Sequence, residues 1–175
     1  LTDWNIYSPV WAPVSLEDQW LKLQDKDPFD YAKVERKIPA SKELKVSFDL
    51  KAGQNNKGTL QIEFLDENGI ACSRIELTDD GIFRLKGGSR FANMMKYEAG
   101  KVYHVEAVLS TVDRNIQVYV DGKRVGLRMF YAPVAAVERI VFRTGVPRTF
   151  PTVDTPADQT YDLPNAGAQD PLAEY

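Results

Sequence analysis

One cysteine, one histidine and no apolar run near the roughly 20 residues that cross a bilayer are the first things this chain lacks. With Cys72 alone, an internal disulfide is impossible and no thiolate set exists for a structural zinc. Lying between Ala71 and Ser73 on an expected strand, it reads as a small packed residue. With His104 alone, His-rich metal sites are removed and most acid–base schemes weakened. Excess positive charge is lacking too. The net charge is −3, and Lys and Arg are spread among acids, as in "KVERK" and "DGKRVG". That argues against nucleic acid, whose binding rests on clustered cations meeting phosphates. No G-x-S-x-G marks a serine nucleophile, and "KGG" at 86–88 is too short for a phosphate loop.

What is present fits one globular domain. The 175 residues are 43% hydrophobic and 27% charged, too apolar for disorder and long enough to bury a core. The stretch 115–126, "NIQVYVDGKRVG", shows the organising pattern. Ile116, Val118 and Val120 alternate with Gln117 and Tyr119, the period of a strand with one buried face. Asp121-Gly122 then suits a two-residue type I′ turn, in which both residues take positive φ. A return strand begins at Lys123.

The same alternation recurs from about residue 19 to residue 145. "QWLKLQD", "YAKVERKI", "ELKVSFDLKAG", "TLQIEFLDENG", "CSRIELTDDG", "IFRLKGG", "KVYHVEAVLST" and "VERIVFRTG" each read as a strand. About nine strands with Gly-containing turns and no long helical period predict an all-β sandwich or barrel. The stretch 89–100, "SRFANMMKYEAG", breaks the pattern and reads as helical or irregular. It is either a loop capping the core or a binding loop that turns Phe91 and Tyr97 outward.

The two ends differ from the middle. Residues 1–18 are aromatic and Pro-containing, and with Trp20 they include all three tryptophans. After Gly145, residues 146–175 hold five of the ten prolines, which excludes a central strand. This stretch is expected to be an arm packed through Val153, Tyr161 and Leu163, or a connector. The chain opens with Leu rather than Met, and a segment of a longer protein is expected.

Here the residues resemble a known family. "KVYHVEAVLSTVDRNIQVYVDGKRVG" is similar to the central hairpin of the concanavalin A-like group, which includes laminin G-like and lectin/glucanase sandwiches. "KELKVSFDLKAG", "GTLQIEFLDENG" and "VERIVFRTG", with "FRTG" followed by the Pro-rich arm, resemble modules attached to bacterial glycoside hydrolases and polysaccharide lyases. The resemblance implies a two-sheet antiparallel jelly roll. It also implies a non-catalytic module that binds polysaccharide or supports a neighbouring catalytic domain, in a secreted, periplasmic or cell-surface setting. A glycan-cleaving enzyme using the sandwich groove, or a purely structural interaction domain, stays open as an alternative.

Glycosidases of this fold carry paired carboxylates, often as E-x-D-x-x-E, and that motif is absent. Glu76 is alone on its strand, and Glu63 and Glu67 are four apart. Carboxylates paired from different strands remain open. The group often holds calcium, for which "DKDPFD" offers Asp25, Asp27 and Asp30, with Asp25 and Asp27 the expected ligands, while the arm offers Asp154, Asp158 and Asp162. Each also reads as turn chemistry. For glycan contact, aromatic faces and Arg or Asn groups are needed, and a guanidinium grips a uronic acid in two-pronged fashion. Arg84, Arg90, Asn93, Tyr97, Tyr119 and Arg128 are the expected carbohydrate-binding residues.

Overall fold

The computed structural model describes residues 2–26, 30–145 and 173–175. Among them the chain forms fourteen strands and no helix, with every strand pair antiparallel. In chain order these are β1 Trp4–Tyr7, β2 Val14–Glu17, β3 Trp20–Asp25, β4 Lys33–Ser41, β5 Glu43–Lys51, β6 Leu60–Leu65 and β7 Ala71–Leu77. They continue as β8 Ile82–Gly87, β9 Arg90–Lys96, β10 Val102–Ser110, β11 Asn115–Val120, β12 Lys123–Met129, β13 Val137–Thr144 and β14 Ala173–Glu174. A seven-stranded sheet in the order β1-β4-β13-β6-β7-β8-β9 faces a four-stranded sheet in the order β12-β11-β10-β5. A three-stranded sheet, β14-β3-β2, completes the fold.

The core follows the alternation. On β10, Tyr103, Val105, Ala107 and Leu109 are buried, and on β11 so are Ile116, Val118 and Val120. Opposite them stand Leu60, Ile62 and Phe64 of β6 and Ile75 and Leu77 of β7. Each large apolar side chain removed from water in this way contributes about 1.5–3 kcal/mol. Two-sheet packing lets each strand bury one face and leave the other for polar residues.

The hairpin at 115–126 forms as its residues dictate. Asp121 and Gly122 take φ of 50° and 78°, and Val120 pairs directly with Lys123. The Asp121 side chain also accepts the His104 amide at 2.9 Å, tying the turn to β10. The turn is therefore part of the frame.

The β2–β3 hairpin repeats this geometry with a different residue. Glu17 pairs with Trp20 across a two-residue turn in which Asp18 and Gln19 take φ of 48° and 71°. Glycine adopts that region freely, whereas a residue with a Cβ is disfavoured there by roughly 1–2 kcal/mol.

Two expectations are corrected. The stretch read as helical or irregular holds strand β9, because the open edge of β8 offers backbone groups that it satisfies. Its alternation is hidden because the pairing slips at Met94: Met94 and Met95 both pack against the core, and Phe91 sits under cations. The N-terminal segment, set apart from a sandwich beginning at residue 19, supplies β1, which pairs with β4 at the sheet edge. The arm's residues 146–172, with Val153, Asp154, Asp158, Tyr161, Asp162 and Leu163, lie outside the described residues. Ala173 and Glu174 pair with Asp25 and Gln24 of β3.

Candidate functional site

The outer face of the seven-stranded sheet carries the charge. Register aligns two rows of side chains across it. In the first, Arg84 stands between Asn93 and Glu76, then Gln61, Arg143 and Lys33 follow on successive strands. In the second, Lys86 stands between Phe91 and Arg74, followed by Glu63, Val141 and Glu35. Among the described residues these rows set the cations Lys33, Arg74, Arg84, Lys86 and Arg143 against the carboxylates Glu35, Glu63 and Glu76.

The middle of this face is closed. Glu63, Arg74, Arg143 and Gln61 are each at most 2% exposed. The Arg74 Nε donates to Glu63 at 2.7 Å, and the Tyr131 ring lies 5.9 Å from the Arg74 guanidinium. Burial pulls the Arg74 pKa down, but Glu63, Tyr131 and Glu76 together outweigh it and the net direction is upward. The Lys86 ammonium, 5.0 Å from Phe91 and 5.7 Å from Tyr131, is shifted down by burial and by Arg74. Arg143 stacks 4.2 Å from the Tyr31 ring. Each carboxylate of the two rows is held by a cation: Glu63 by Arg74, Glu76 by Arg84, and Glu35 by Lys33 and Arg139 at 3.3 Å each.

The β8–β9 end of the face is open. The Arg84 side chain is 35% exposed, bonds Glu76 and stacks 4.2 Å from the Phe91 ring. Asn93, its cross-strand partner, is exposed. Arg90 is exposed opposite Gly87, and Arg128 of β12 comes down over the same glycine. Thus Arg84 and Asn93 share one face, while Arg90 and Arg128 stand at the end of the hairpin on the side of Leu85 and Gly87, which faces the four-stranded sheet.

Two of the expected residues do not join them. Tyr97, expected to be turned outward, is 2% exposed. Its hydroxyl donates to the Thr78 carbonyl at 2.7 Å and its ring meets Phe83 edge-on at 5.7 Å. Its backbone N–H is held by the Gly81 carbonyl, which turns the side chain into the sandwich. Tyr119 lies on the outer face of the four-stranded sheet, between Glu106 and Arg124, with its hydroxyl on Gln117 at 3.0 Å. Phe91, expected on a loop that either caps the core or turns it outward to bind, stands on strand β9 beneath the Arg84 and Lys86 cations. The signal that could have placed it is its setting two residues before Asn93, on the strand that pairs with Arg84 and Lys86.

His104 occupies the polar face of β10, where its Nδ1 meets Asp49 at 2.7 Å. Asp25 is buried at the end of β3, while Asp27 lies outside the described residues. No group of three or more His, Cys, Asp or Glu suited to a metal occurs among the described residues. No helix among them is long and apolar enough to cross a membrane.

A solved structure called a sialidase is 88% identical to this chain, with a TM-score of 0.85, over 99% of this chain and 16% of that one. This chain therefore spans about a sixth of that protein. The carbohydrate-binding module CBM66 from Bacillus subtilis aligns with a TM-score of 0.54 at 11% identity, covering 81% of this chain and 86% of its own. A polysaccharide lyase family 7 alginate lyase, AlgAT5, aligns at 0.59 and 12% identity, covering 99% and 90%. At such identities the last two show the fold, a concanavalin A-like sandwich. A comparison with curated proteins finds no match. A family model described as "Sialidase-like, CBM domain" matches residues 4–159, from β1 through the whole sandwich, and the chain belongs to that family.

Proposed function

We propose that this chain is a carbohydrate-binding module of a sialidase-type glycoside hydrolase, and that it engages acidic sugar units at the open end of the charged face. The observation that carries the site is the partly exposed Arg84 guanidinium, steadied by Glu76 and laid on the Phe91 ring. A guanidinium held in this way can offer its remaining N–H groups to a sugar carboxylate in paired fashion. Phe91 supplies an apolar surface and Asn93 reaches hydroxyls, while Arg90 and Arg128 add positive charge at the hairpin end from the other side of the sheet. The excess of cations over carboxylates in the two described rows favours an anionic ligand over a neutral one. Its setting is extracytoplasmic, as polysaccharide ligands require, and its neighbour in the parent protein is the catalytic domain. Calcium at Asp25 and Asp27 belongs to the same proposal.

The test is affinity electrophoresis of the 175-residue chain through gels containing sialylated glycoprotein, polygalacturonate or neutral galactan, with calcium or with chelator. Retardation is expected in the two acidic gels, decreasing with added salt and lost in Arg84→Ala. Calcium bound at Asp25 and Asp27 would make retardation or thermal stability sensitive to chelator. A folded protein retarded in none of the gels would overturn the binding role and leave a module that supports the catalytic domain.

A further inference from the structure

The link between β1 and β2 carries bare apolar side chains on a fixed backbone. It reads "SPVWAP" from Ser8 to Pro13, and the Ala12 N–H donates to the Pro9 carbonyl at 3.1 Å, closing a β-turn with Val10 and Trp11 at its two corners. Turn corners favour Gly, Pro, Asn, Asp and Ser, which suit the backbone conformation or bond it locally. Here they hold a valine that is 81% exposed and a tryptophan that is 60% exposed. Tyr7, on the last position of β1, is 40% exposed. Single exposed apolar residues are ordinary, but Tyr7, Val10 and Trp11 together make a patch.

The backbone beneath the patch is held from several sides. The Lys26 N–H donates to the Trp11 carbonyl at 2.8 Å, the Gln24 N–H to the Pro13 carbonyl at 3.0 Å and the Val14 N–H to the Ser8 hydroxyl at 2.8 Å. Ala12 is fully buried, and Pro9 and Pro13 fix φ on either side of the turn. Tyr7 is held as well. Its ring lies 4.9 Å from that of Tyr31, and its hydroxyl donates to Asp30 at 3.2 Å. Rings presented on a fixed frame lose little freedom when a ligand arrives.

We propose that Tyr7 and Trp11 form an aromatic platform for a glycan chain, each ring stacking on one pyranose unit. The proposal rests on the family's carbohydrate-binding character, and the matched region 4–159 includes both residues, but it does not rest on the Arg84 site. A pyranose presents C–H groups on its faces, which pack on an aromatic ring while the rim hydroxyls stay in water. The Cα atoms of two residues four apart are separated by at most about 14 Å, within the length of a short oligosaccharide. Strand β1 is the sheet edge opposite β9, five strands from β8 and Arg84. At the usual strand spacing that is about 24 Å, so the two sites are separate.

The chain has three tryptophans, so the Trp11 indole N–H signal in a proton–nitrogen spectrum, assigned with Trp11→Phe, reports the platform directly. The chain is titrated with oligomers of galactose and of N-acetylglucosamine, from monomer to hexamer, and separately with phosphatidylglycerol vesicles. Uncharged oligomers are used so that the Arg84 charge does not enter. A saturable shift of the Trp11 signal is expected, tighter for hexamer than for monomer and unchanged in high salt, since stacking is not screened. Trp11→Ala, at an exposed position, should keep the fold and weaken this binding about tenfold or more. Tyr7→Ala should remove the advantage of the hexamer, Tyr7→Phe should retain it, and Arg84→Ala should leave the shift intact. A Trp11 signal that neither oligomer series moves, an affinity untouched by Trp11→Ala, equal affinity for monomer and hexamer, or a shift lost in Arg84→Ala would each overturn the proposal. A shift produced by vesicles alone would overturn it in favour of a lipid contact. Retardation in the acidic gels without any Trp11 shift would sink the platform and leave the Arg84 site standing.

Discussion

Arg74 and Glu63 face one another across β7 and β6 with their side chains 2% and 0% exposed, an ion pair removed from water on a face that faces away from the apolar core. Breaking such a pair leaves a buried charge without its partner, which costs about 3–5 kcal/mol. Arg74→Ala is therefore expected to destabilise the fold by that amount in urea unfolding. The double variant Glu63→Leu/Arg74→Leu should be more stable than either single leucine variant, because both desolvation costs vanish together. Single and double variants that simply add would show that the two residues are not energetically coupled.

The seam between β12 and the β8–β9 hairpin depends on glycine. A Cβ built at Gly87 would lie 2.5 Å from the Cβ of Arg128, and one at Gly126 would lie 2.6 Å from the Met94 sulfur. The first clash involves an atom fixed to the backbone, whereas a methionine side chain can move. Gly87→Ala should cost about 1–3 kcal/mol by forcing the strands apart, and Gly126→Ala less. Melting temperatures of the two variants decide it. Gly87→Ala should also weaken retention on acidic gels, since Arg128 and Arg90 flank that residue.

Alkaline sensitivity follows from two buried acids. Burial pushes the Tyr97 hydroxyl from 10.0 up to about 12, and Asp79 and Asp80 add to it. Burial likewise raises the Cys72 thiol from 9.0 to about 12. A group raised on folding stabilises the fold fully below its unfolded pKa and ceases to do so as pH climbs through the folded one. Stability should therefore fall between about pH 9 and pH 12, the Cys72 share beginning first. Urea midpoints measured across that range check this, and Tyr97→Phe should make the fall between pH 10 and 12 shallower.

The same burial makes Cys72 chemically silent. At 0% exposure with its thiolate disfavoured, it should not react with a disulfide reagent at pH 8 in the native chain. Full reaction is expected only in denaturant. Stoichiometric labelling of the folded protein at that pH would contradict the packing of β7.

Much of this fold is legible in period-two patterning. The buried sets on β5, β6, β10 and β11 and the Asp121-Gly122 turn follow from local rules, because a half-buried strand must alternate and a tight hairpin needs positive φ. Strand β9 is not legible, since its pairing slips at Met94 and sets the neighbours Met94 and Met95 both against the core, which breaks the alternation. Nor is the burial of Tyr97, whose hydroxyl has a private partner in Thr78, a residue 19 positions away.

The candidate sites divide in the same way. Residue types for sugar contact could be chosen from the sequence, and alternation could say that Arg84, Glu76, Arg74 and Glu63 point away from the apolar core. Alternation does not say what an outward side chain meets. Strand order and register decided that, by setting Arg143 beside Gln61 and Lys33, residues more than 80 positions earlier. They closed the middle of the charged face, left Arg84 and Asn93 open at its end and put Tyr119 on the other side. They also brought Trp20, Phe48 and Phe142 around one cavity, from strands that share no local signal. Local chemistry determines which face of a strand turns inward, while only the pairing of distant strands determines which charges and rings become neighbours.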